Sequence, residues 1–314
     1  ALLDSKIPWG AWAARVEPHY PKAAGGRPPV PLGTMLRMYV VQVAFQLSDE
    51  GTEDALWDSA AARSFVGCGD AVPDATTLCR FRSLPAANGL GRALLDELNA
   101  SLEAEGLRMS AGTIVDATFV EAPPGTKNAR RQRDPEARQA KKGQDRHHGF
   151  KAHVGVDAVA GTVHTLEVTA ANAHDLTRAA SPVGPGDTDV WADSGYTGVS
   201  KWVEGTPAGS ARWHVARRKK SVPEAERASE SILASARSRV EHAFHALKDL
   251  VGLRRTRYRG LSKVTNQLCA AFAVANCLLA SRRPPLQGPP ACAQDRVRLR
   301  SELVGVLRAA AAAA

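Results

Sequence analysis

Apolar residues in the first third of the chain recur at helical spacing and are separated by helix-capping signals. Leu32 to Leu47 has no internal breaker, and Ser48 and Asp49 are favourable N-caps for the next helix. The pattern predicts four helices: Leu32 to Leu47, Ser48 to Ala61, one that opens at Pro73 and Asp74, and Asn88 to Gly106.

The third of these helices carries arginines. Its pattern predicts that Leu78 and Phe81 face inward and that Arg80 and Arg82 face outward. Helices with short connections, one of them rich in arginine, suit a DNA-binding or dimerisation module. A plain helical bundle with solvated arginines explains the same pattern equally well.

From Gly112 the pattern changes to β-branched runs and two-residue alternation. Five strands are predicted: Thr113 to Val120, Phe150 to Asp157, Thr162 to Thr169, Thr188 to Ala192, and Trp213 to Ala216. A long helix from about Glu224 to Leu250 and another from about Ser262 to Ser281 follow. Strands followed by helices indicate a mixed α/β domain.

Two segments lack the apolar residues that build a core. Thr126 to His148 has no apolar residue larger than Ala, and from Lys127 to Arg146 it holds eight Lys or Arg against three acids. We expect it to be flexible unless a polyanion orders it. The other is the Pro- and Ala-rich tail after Arg283, to which we assign no function. The domains expected are 1–108, helical; 109–283, α/β with a basic insertion over 124–148; and the tail 284–314.

The net charge of the chain indicates what kind of molecule it binds. Lys and Arg exceed Asp and Glu by 41 to 32, and the pI is about 9.6. This excess favours a nucleic acid over a membrane surface, although arginine-rich codon usage has the same effect.

The longest apolar stretch, Leu268 to Ala280, is too short to span a bilayer, and no secretory signal is evident. Five cysteines without paired spacing argue against disulfides or zinc, so we expect a cytoplasmic location.

Two aspartates end or interrupt predicted strands. Asp116 lies within an apolar strand, where a lone carboxylate is unfavourable unless a cation or hydrogen-bond donors meet it. Asp193 ends another strand before a Ser-Gly-Tyr turn. The alternatives are a structural Asp that caps a loop and ordinary Asp-Ser-Gly turn chemistry.

The third acid lies on the long helix. Its core stripe comprises Leu233, Ala236, Val240, Phe244, Leu247 and Val251. At about 100° per residue, Arg237, Glu241 and Lys248 fall within roughly 40° of one another beside that stripe. A surface pair between Arg237 and Glu241 is an equally good interpretation of this spacing alone.

The three acids are more informative together. Two strand-borne Asp and one helix-borne Glu offer the hard oxygen ligands that Mg²⁺ or Mn²⁺ prefers. Two such ions activate the attacking oxygen and stabilise the leaving oxygen of a phosphodiester. Arg237 and Lys248 would bind DNA phosphates beside them.

The sequence resembles bacterial insertion-sequence transposases of the DDE class. The matching stretches run in order from about residue 5 to residue 282. They are Pro31 to Arg37, Pro73 to Leu78 with Phe81 and Arg82, Gly112 to Thr118 with Glu121 to Pro123, Arg133 to Glu136, Lys141 to Gly143, Gly149 to Asp157, Ala170 to Asn172 with His174 and Asp175, Ala192 to Gly198, Arg239 to His242, and Arg257 to Leu261.

The resemblance implies a fold, a site and a reaction. The fold is a ribonuclease-H-like mixed sheet flanked by helices, as in retroviral integrases, preceded by a small all-helical domain. The D-D-E triad falls on Asp116, Asp193 and Glu241, and the Arg-Glu-Lys signature on Arg237, Glu241 and Lys248. A Tyr found in some members is Ala234 here, and the chain looks shortened between Glu204 and Ser231. A dimer on two inverted-repeat ends is implied as well.

Other basic residues are predicted to contact DNA backbone phosphates, which gives affinity and salt dependence. They are Arg80, Arg82, Lys141, Lys142, Lys151, Arg217, Arg218, Arg257 and Arg259, with Lys219, Lys220, Arg254 and Arg255 near them. Lys151 and His153 either face the site or line a half-exposed strand, whereas Trp191 and Trp202 are more typical of a core.

The expected reaction is metal-dependent phosphoryl transfer in two steps, cleavage at the element end and then attack of the freed 3′-hydroxyl on target DNA. Two alternatives remain open. One is a DNA-binding protein that has lost catalysis, and the other is a metal-dependent nuclease that cuts without joining.

Overall fold

The structure is a computed structural model of the 314-residue chain. It describes residues 2–22, 28–107, 112–125, 132–142, 145–184, 186–217 and 237–282, with no side-chain description for residues 142 and 145. Arg218, Lys219, Lys220, Ala234 and the tail after Arg282 lie outside the described residues.

Seven helices form the described N-terminal region. They are α1 Leu2–Lys6, α2 Trp9–Val16, α3 Leu32–Phe45, α4 Asp49–Asp58, α5 Ala60–Val66, α6 Ala75–Ala87 and α7 Leu90–Ala104. The predicted second helix is two helices, because the Ser59 hydroxyl accepts from the Ala62 N–H at 3.2 Å and caps a new start. Ser48 caps α4 as predicted, by accepting from the Gly51 N–H at 2.8 Å.

Six strands form one sheet. They are β1 Thr113–Glu121, β2 Arg138–Lys142, β3 Asp145–Asp157, β4 Val163–Ala170, β5 Asp189–Ala192 and β6 Arg212–Val215. β3 is antiparallel to β1, β2 and β4, whereas β5 is parallel to both β1 and β6. This is the ribonuclease-H-like arrangement that the resemblance implied, and the five predicted strands are present.

The expectation that 126–148 is flexible was wrong for the part that the structure describes. β2 pairs with the first residues of β3, from Arg138 opposite Gly149 to Lys142 opposite Asp145. Backbone hydrogen bonds carry this pairing, so it needs no large apolar side chain. Ala137 and Asp134 are nevertheless buried at its base.

Three helices follow the strands or lie between them. The short α8 spans Ser200–Val203, the described part of α9 spans residues 237–245, and α10 spans Leu261–Ser281. α9 continues as one π-helical turn, Ala246–Leu250. The predicted start of α9 near Glu224 lies outside the described residues.

α10 is the centre of the molecule. It packs against α1, α3, α6 and α7 of the helical region and also against β4 of the sheet. One hydrophobic core therefore contains residues from both sides of the predicted boundary at 108, such as Leu95, Ile114 and Phe272. α10 is long and apolar enough to span a membrane, contrary to the expectation from Leu268 to Ala280, but 72% of its most apolar window is buried inside the protein.

Candidate active site

The two predicted aspartates are neighbours across parallel strands. The register of β1 and β5 ends with Val115 opposite Ala192, so Asp116 and Asp193 are the next residues on each side. The Asp193 Oδ1 accepts a hydrogen bond from the Gly195 N–H at 2.9 Å. Asp193 thereby caps the turn Ser194–Tyr196. The fold itself brings these two carboxylates together at the carboxyl end of β5.

The Asp116 carboxyl group lies where a negative charge is unfavourable. Burial, together with the charges of Asp193 and Asp175, raises its pKa to about 6 against the opposing effects of the Ala117 N–H and Arg237. The Ala117 N–H donates to Asp116 Oδ1 at 2.7 Å. A cation would relieve this repulsion, and carboxylate oxygens suit a hard divalent ion.

The first described turn of α9 lies near the two aspartates. Arg237 is half-buried and close enough to Asp116 for its charge to lower the pKa of that carboxyl group. Glu241, one turn later, is exposed. Among the described residues no group of three His, Cys, Asp or Glu is arranged to hold a metal ion. The structure thus brings two of the three predicted acids together and leaves Glu241 on the adjacent helix.

The predicted spacing of Lys248 does not hold in the structure. The row of Arg237, Glu241 and Lys248 assumed 100° per residue, but Lys248 lies in the π-helical turn, where the Val251 N–H bonds to the Ala246 carbonyl at 2.9 Å. A π-turn has more residues per turn, so it shifts the helical phase. In the predicted core stripe, Val240, Leu247 and Val251 are buried, and Phe244 is partly buried against the same core.

Lys151 and His153 belong to the opposite face of the sheet. In the β1–β3 register Asp116 lies opposite Val154, whereas His153 lies opposite Ala117. Neighbouring strand residues point to opposite faces. Lys151 Nζ donates to Asp175 Oδ1 at 2.9 Å and to the Ala173 carbonyl at 2.8 Å. The buried His153 shares a 2.9 Å hydrogen bond with Thr169 Oγ1. Neither side chain shares the Asp116 face.

Arg82 occupies a structural position, contrary to its predicted outward orientation. Its guanidinium donates two 2.8 Å hydrogen bonds to the Asp49 carboxylate. Its other face stacks 4.3 Å from the centroid of the Tyr258 ring. The Arg82 side chain is only 17% exposed, whereas Arg80 is exposed. These contacts argue against Arg82 as a DNA ligand.

The remaining predicted DNA contacts that are described lie at the surface, except Lys248, which is half-buried. The exposed ones are Arg80, Lys141, Arg217, Arg257 and Arg259. Arg259 also donates to the Arg133 carbonyl at 2.9 Å. Of the neighbouring arginines, Arg255 pairs with Glu121 at 2.9 Å. Trp191 is buried as expected, whereas Trp202 is 52% exposed.

The comparisons with protein families decide the identity. A family model described as the transposase DDE domain matches residues 108–277, and a second, described as a transposase domain, matches residues 1–84. The chain belongs to the DDE transposases. No solved structure matches this transposase. As a member of the family it acts on DNA and belongs to a group that uses divalent metal ions.

The sequence predicted no separate role for two residues near the candidate site. Asp175 begins a short helical turn, Asp175–Arg178, and its charge adds to the larger effect of burial in raising the pKa of both Asp116 and Tyr196. Tyr196 is 2% exposed and ends the turn that Asp193 caps. Both residues lie within stretches of the sequence that resemble the transposase family. The sequence signal for Tyr196 is its place directly after Asp-Ser-Gly, because a buried phenol hydroxyl usually needs a hydrogen-bond partner.

Proposed function

We propose that this transposase cleaves DNA at the ends of an insertion sequence and joins the freed 3′-hydroxyl to target DNA, with two Mg²⁺ or Mn²⁺ ions held by Asp116, Asp193 and Glu241. The observation that carries the proposal is the placement of Asp116 on β1 beside Asp193, the residue that directly follows the parallel strand β5. The raised pKa of Asp116 supports it, because burial and the charge of Asp193 make an ionised carboxylate unfavourable there unless a cation binds.

The donor set fits these ions. Each carboxylate uses its Oδ1 to accept a backbone N–H, from Ala117 or Gly195, which fixes its orientation. Hard oxygen ligands and the negative potential suit Mg²⁺ better than a soft metal. Bound divalent ions supply Lewis-acid activation of the attacking oxygen and charge stabilisation of the leaving oxygen.

Glu241 would join the aspartates from α9. It lies four residues after Arg237, which in a regular helix is about 6 Å along the axis and 40° around it. Arg237 is already close enough to Asp116 to affect it electrostatically. We propose that Arg237 leaves Asp116 for a DNA phosphate when cations bind, and that Glu241 then completes the ligand set.

Exposed basic residues would hold the DNA around this edge. We assign phosphate contacts to Arg80, Lys141, Arg217, Arg257 and Arg259, with Lys142 and Arg218 beside them, and a site-proximal contact to Lys248. Lys151 would contribute only if it exchanged its bond to Asp175 for a phosphate. We propose a homodimer on two inverted-repeat ends, and a cytoplasmic, nucleoid-associated location.

The test uses DNA that flanks the protein's own coding sequence, since its ends supply the substrate. We expect Mg²⁺-dependent nicking by the wild type and none by Asp193→Asn. Asp70→Asn is the matched control, because Asp70 is exposed and lies in the helical region. Equal nicking by wild type and Asp193→Asn would refute the site.

Two alternatives give different results in the same assay. The exposed position of Glu241 favours a DNA-binding protein without catalysis, which would bind the flanking DNA and never nick it. A nuclease would nick it but would not join a pre-cut 3′-hydroxyl end to target DNA. The transposase proposal requires both nicking and joining.

A further inference from the structure

An apolar groove of about 540 Å³ lies on the surface of the helical region. Its walls come from α1, α3, α4 and α5, and its lining residues are apolar except for Ser59. We call it the N-terminal groove. Two large apolar side chains of its lining face solvent, since Phe45 is 71% exposed and Leu2 is 41% exposed. A contiguous apolar surface with a polar rim is typical of an interaction site.

The rim of the N-terminal groove is acidic. α4 carries five acids and no Lys or Arg. Three of these acids, Glu50, Asp54 and Asp58, are exposed and form no ion pair with any residue that the structure describes. At about 100° per residue, Asp58 and Asp54 lie about 60° and 100° around α4 from Ala55, which lines the groove. This surface therefore repels DNA and suits a basic amphipathic helix.

The sequence after α10 contains a segment with the matching pattern. We call residues 296–308 the C-terminal segment; it lies outside the described residues. It holds four Arg against one acid. At helical spacing, four of its apolar residues fall within about 100° of one another, and they are Leu299, Leu303, Val306 and Leu307. Arg298 and Arg300 fall on the two sides of this apolar stripe, where they would meet an acidic rim.

The direction of α10 brings its carboxyl end beside that of α7. Near the start of both helices, Asn266 packs directly against Gly91. Further along, Asn276 Nδ2 donates to Asn99 Oδ1 at 2.9 Å. The two helices therefore run side by side in the same direction, and their carboxyl ends are neighbours.

α1 connects these ends to the N-terminal groove. Lys6, the last residue of α1, pairs with Glu105 directly after α7, and α1 also packs against α10. Leu2 and Leu3 of the same helix line the groove. The five residues of α1 span about 7 Å, whereas residues 283–295 can span up to about 40 Å. The C-terminal segment can therefore reach the groove of its own chain.

A second copy of the chain fits the groove less well. A dimer with two-fold symmetry places the same surface on both sides of its interface, so the acidic α4 helices would come together. We infer that the C-terminal segment folds back as a helix into the N-terminal groove of its own chain, with its apolar stripe inward and its arginines beside the acids of α4. This inference goes beyond the proposed function and gives a role to the tail.

Photo-cross-linking in the purified full chain, in dilute solution, tests this inference. In one variant p-benzoylphenylalanine replaces the exposed Phe45. We expect mass spectrometry of the species with monomer mass to find cross-links to residues 296–308. The matched control carries the same group in place of Trp202, which is 52% exposed on α8, and should give no cross-link to this segment.

Two neighbouring positions test the apolar stripe. Leu303 lies within the stripe, and Val304 lies about 100° further around the helix. In the chain with the cross-linker at Phe45, Leu303→Asp should lower the yield by about 10-fold or more, because it places a charge against the apolar lining. Val304→Asp should lower the yield by less than about 2-fold.

A charge exchange tests the acidic rim. Asp54→Arg together with Asp58→Arg should lower the cross-link yield by about 5-fold at low salt. Adding Arg298→Glu and Arg300→Glu to that variant should restore the yield.

The opposite results are equally specific. A cross-linked dimer, or a cross-linked monomer without links to residues 296–308, would overturn the inference. Equal yields from Leu303→Asp and Val304→Asp would overturn it as well. The experiment contains neither DNA nor metal ions, so its failure would leave the proposed function standing.

Discussion

The ionised side chain of Asp116 destabilises the folded chain. The β1 strand continues past the end of β5, so Asp116 is half-buried beside Asp193. Burial raises its pKa to about 6, above the usual value of 3.8. A raised pKa for an acid means that ionisation lowers the stability of the folded chain, and this loss is complete once the pH is above 6. The proposed metal site would offset this loss, because bound cations favour the ionised carboxylate.

We predict that Asp116→Asn stabilises the metal-free protein at pH 7.5 by about 1 kcal/mol, a discounted figure because the side chain is only partly buried. It should lower DNA nicking by more than about 100-fold. Denaturant unfolding in chelator measures the first effect, and a nicking assay in Mg²⁺ the second. Asp70→Asn should change neither. A less stable Asp116→Asn would contradict our account of its pKa.

The α6 helix gives two arginines different environments within two residues. Arg82 joins α6 to α4 through Asp49 and to the segment before α10 through Tyr258. Arg80 is exposed on the same helix. A pattern of apolar positions assigns both to the outer face, because it contains no information about which partner a polar side chain will meet.

We predict opposite effects for the two arginines. Arg82→Ala should destabilise the transposase by about 3 kcal/mol, because it leaves the partly buried Asp49 carboxylate without its cation. Arg80→Ala should change stability by less than about 0.5 kcal/mol but weaken DNA binding. Chemical denaturation and a DNA-binding titration separate the two. Equal loss of stability in both variants would mean that the ion pair has no special role.

Elements with strong apolar periodicity were predictable, and elements held by other forces were not. β1 and α3 have buried runs, and their predicted starts agree with the structure. β2 was missed because its pairing with β3 is carried by the backbone. The π-turn after α9 was missed because the 100° period has no marker for an inserted residue. In the site, Asp116 and Asp193 were selected by the family resemblance together with their places in and after predicted strands, whereas the burial of Tyr196 depends on tertiary packing.

β2 also offers an element-scale test of DNA binding. Its Lys141 is exposed on a strand of the sheet edge. We predict that Lys141→Ala weakens DNA binding and lowers the slope of log affinity against log salt by about 1, since one phosphate contact is lost. Binding titrations at several salt concentrations measure the slope. Lys22→Ala, which removes an exposed charge from the helical region, should leave it unchanged.

At the scale of the whole molecule, the helical region and the sheet share α10. Asn276 on this helix accepts from the Val163 N–H at 2.9 Å, and its Nδ2 donates to the Val163 carbonyl at 2.7 Å and to Asn99 Oδ1 at 2.9 Å. The three residues belong to α10, β4 and α7. A buried polar network of this kind fixes how the helices lie against the sheet.

We predict that the full chain unfolds in one cooperative transition, because elements on both sides of residue 108 lose their core together when α10 leaves. Asn276→Ala should lower the free energy of unfolding by about 3 kcal/mol, since the Val163 N–H and the Asn99 amide are left buried without this partner. Asn88→Ala, an exposed site at the end of α6, should change it by less than about 1 kcal/mol. Scanning calorimetry and near-UV circular dichroism follow both variants. Two separate transitions, one assignable to the helices and one to the sheet, would show that the shared helix does not couple them, and a cut after residue 107 should then leave a folded catalytic half.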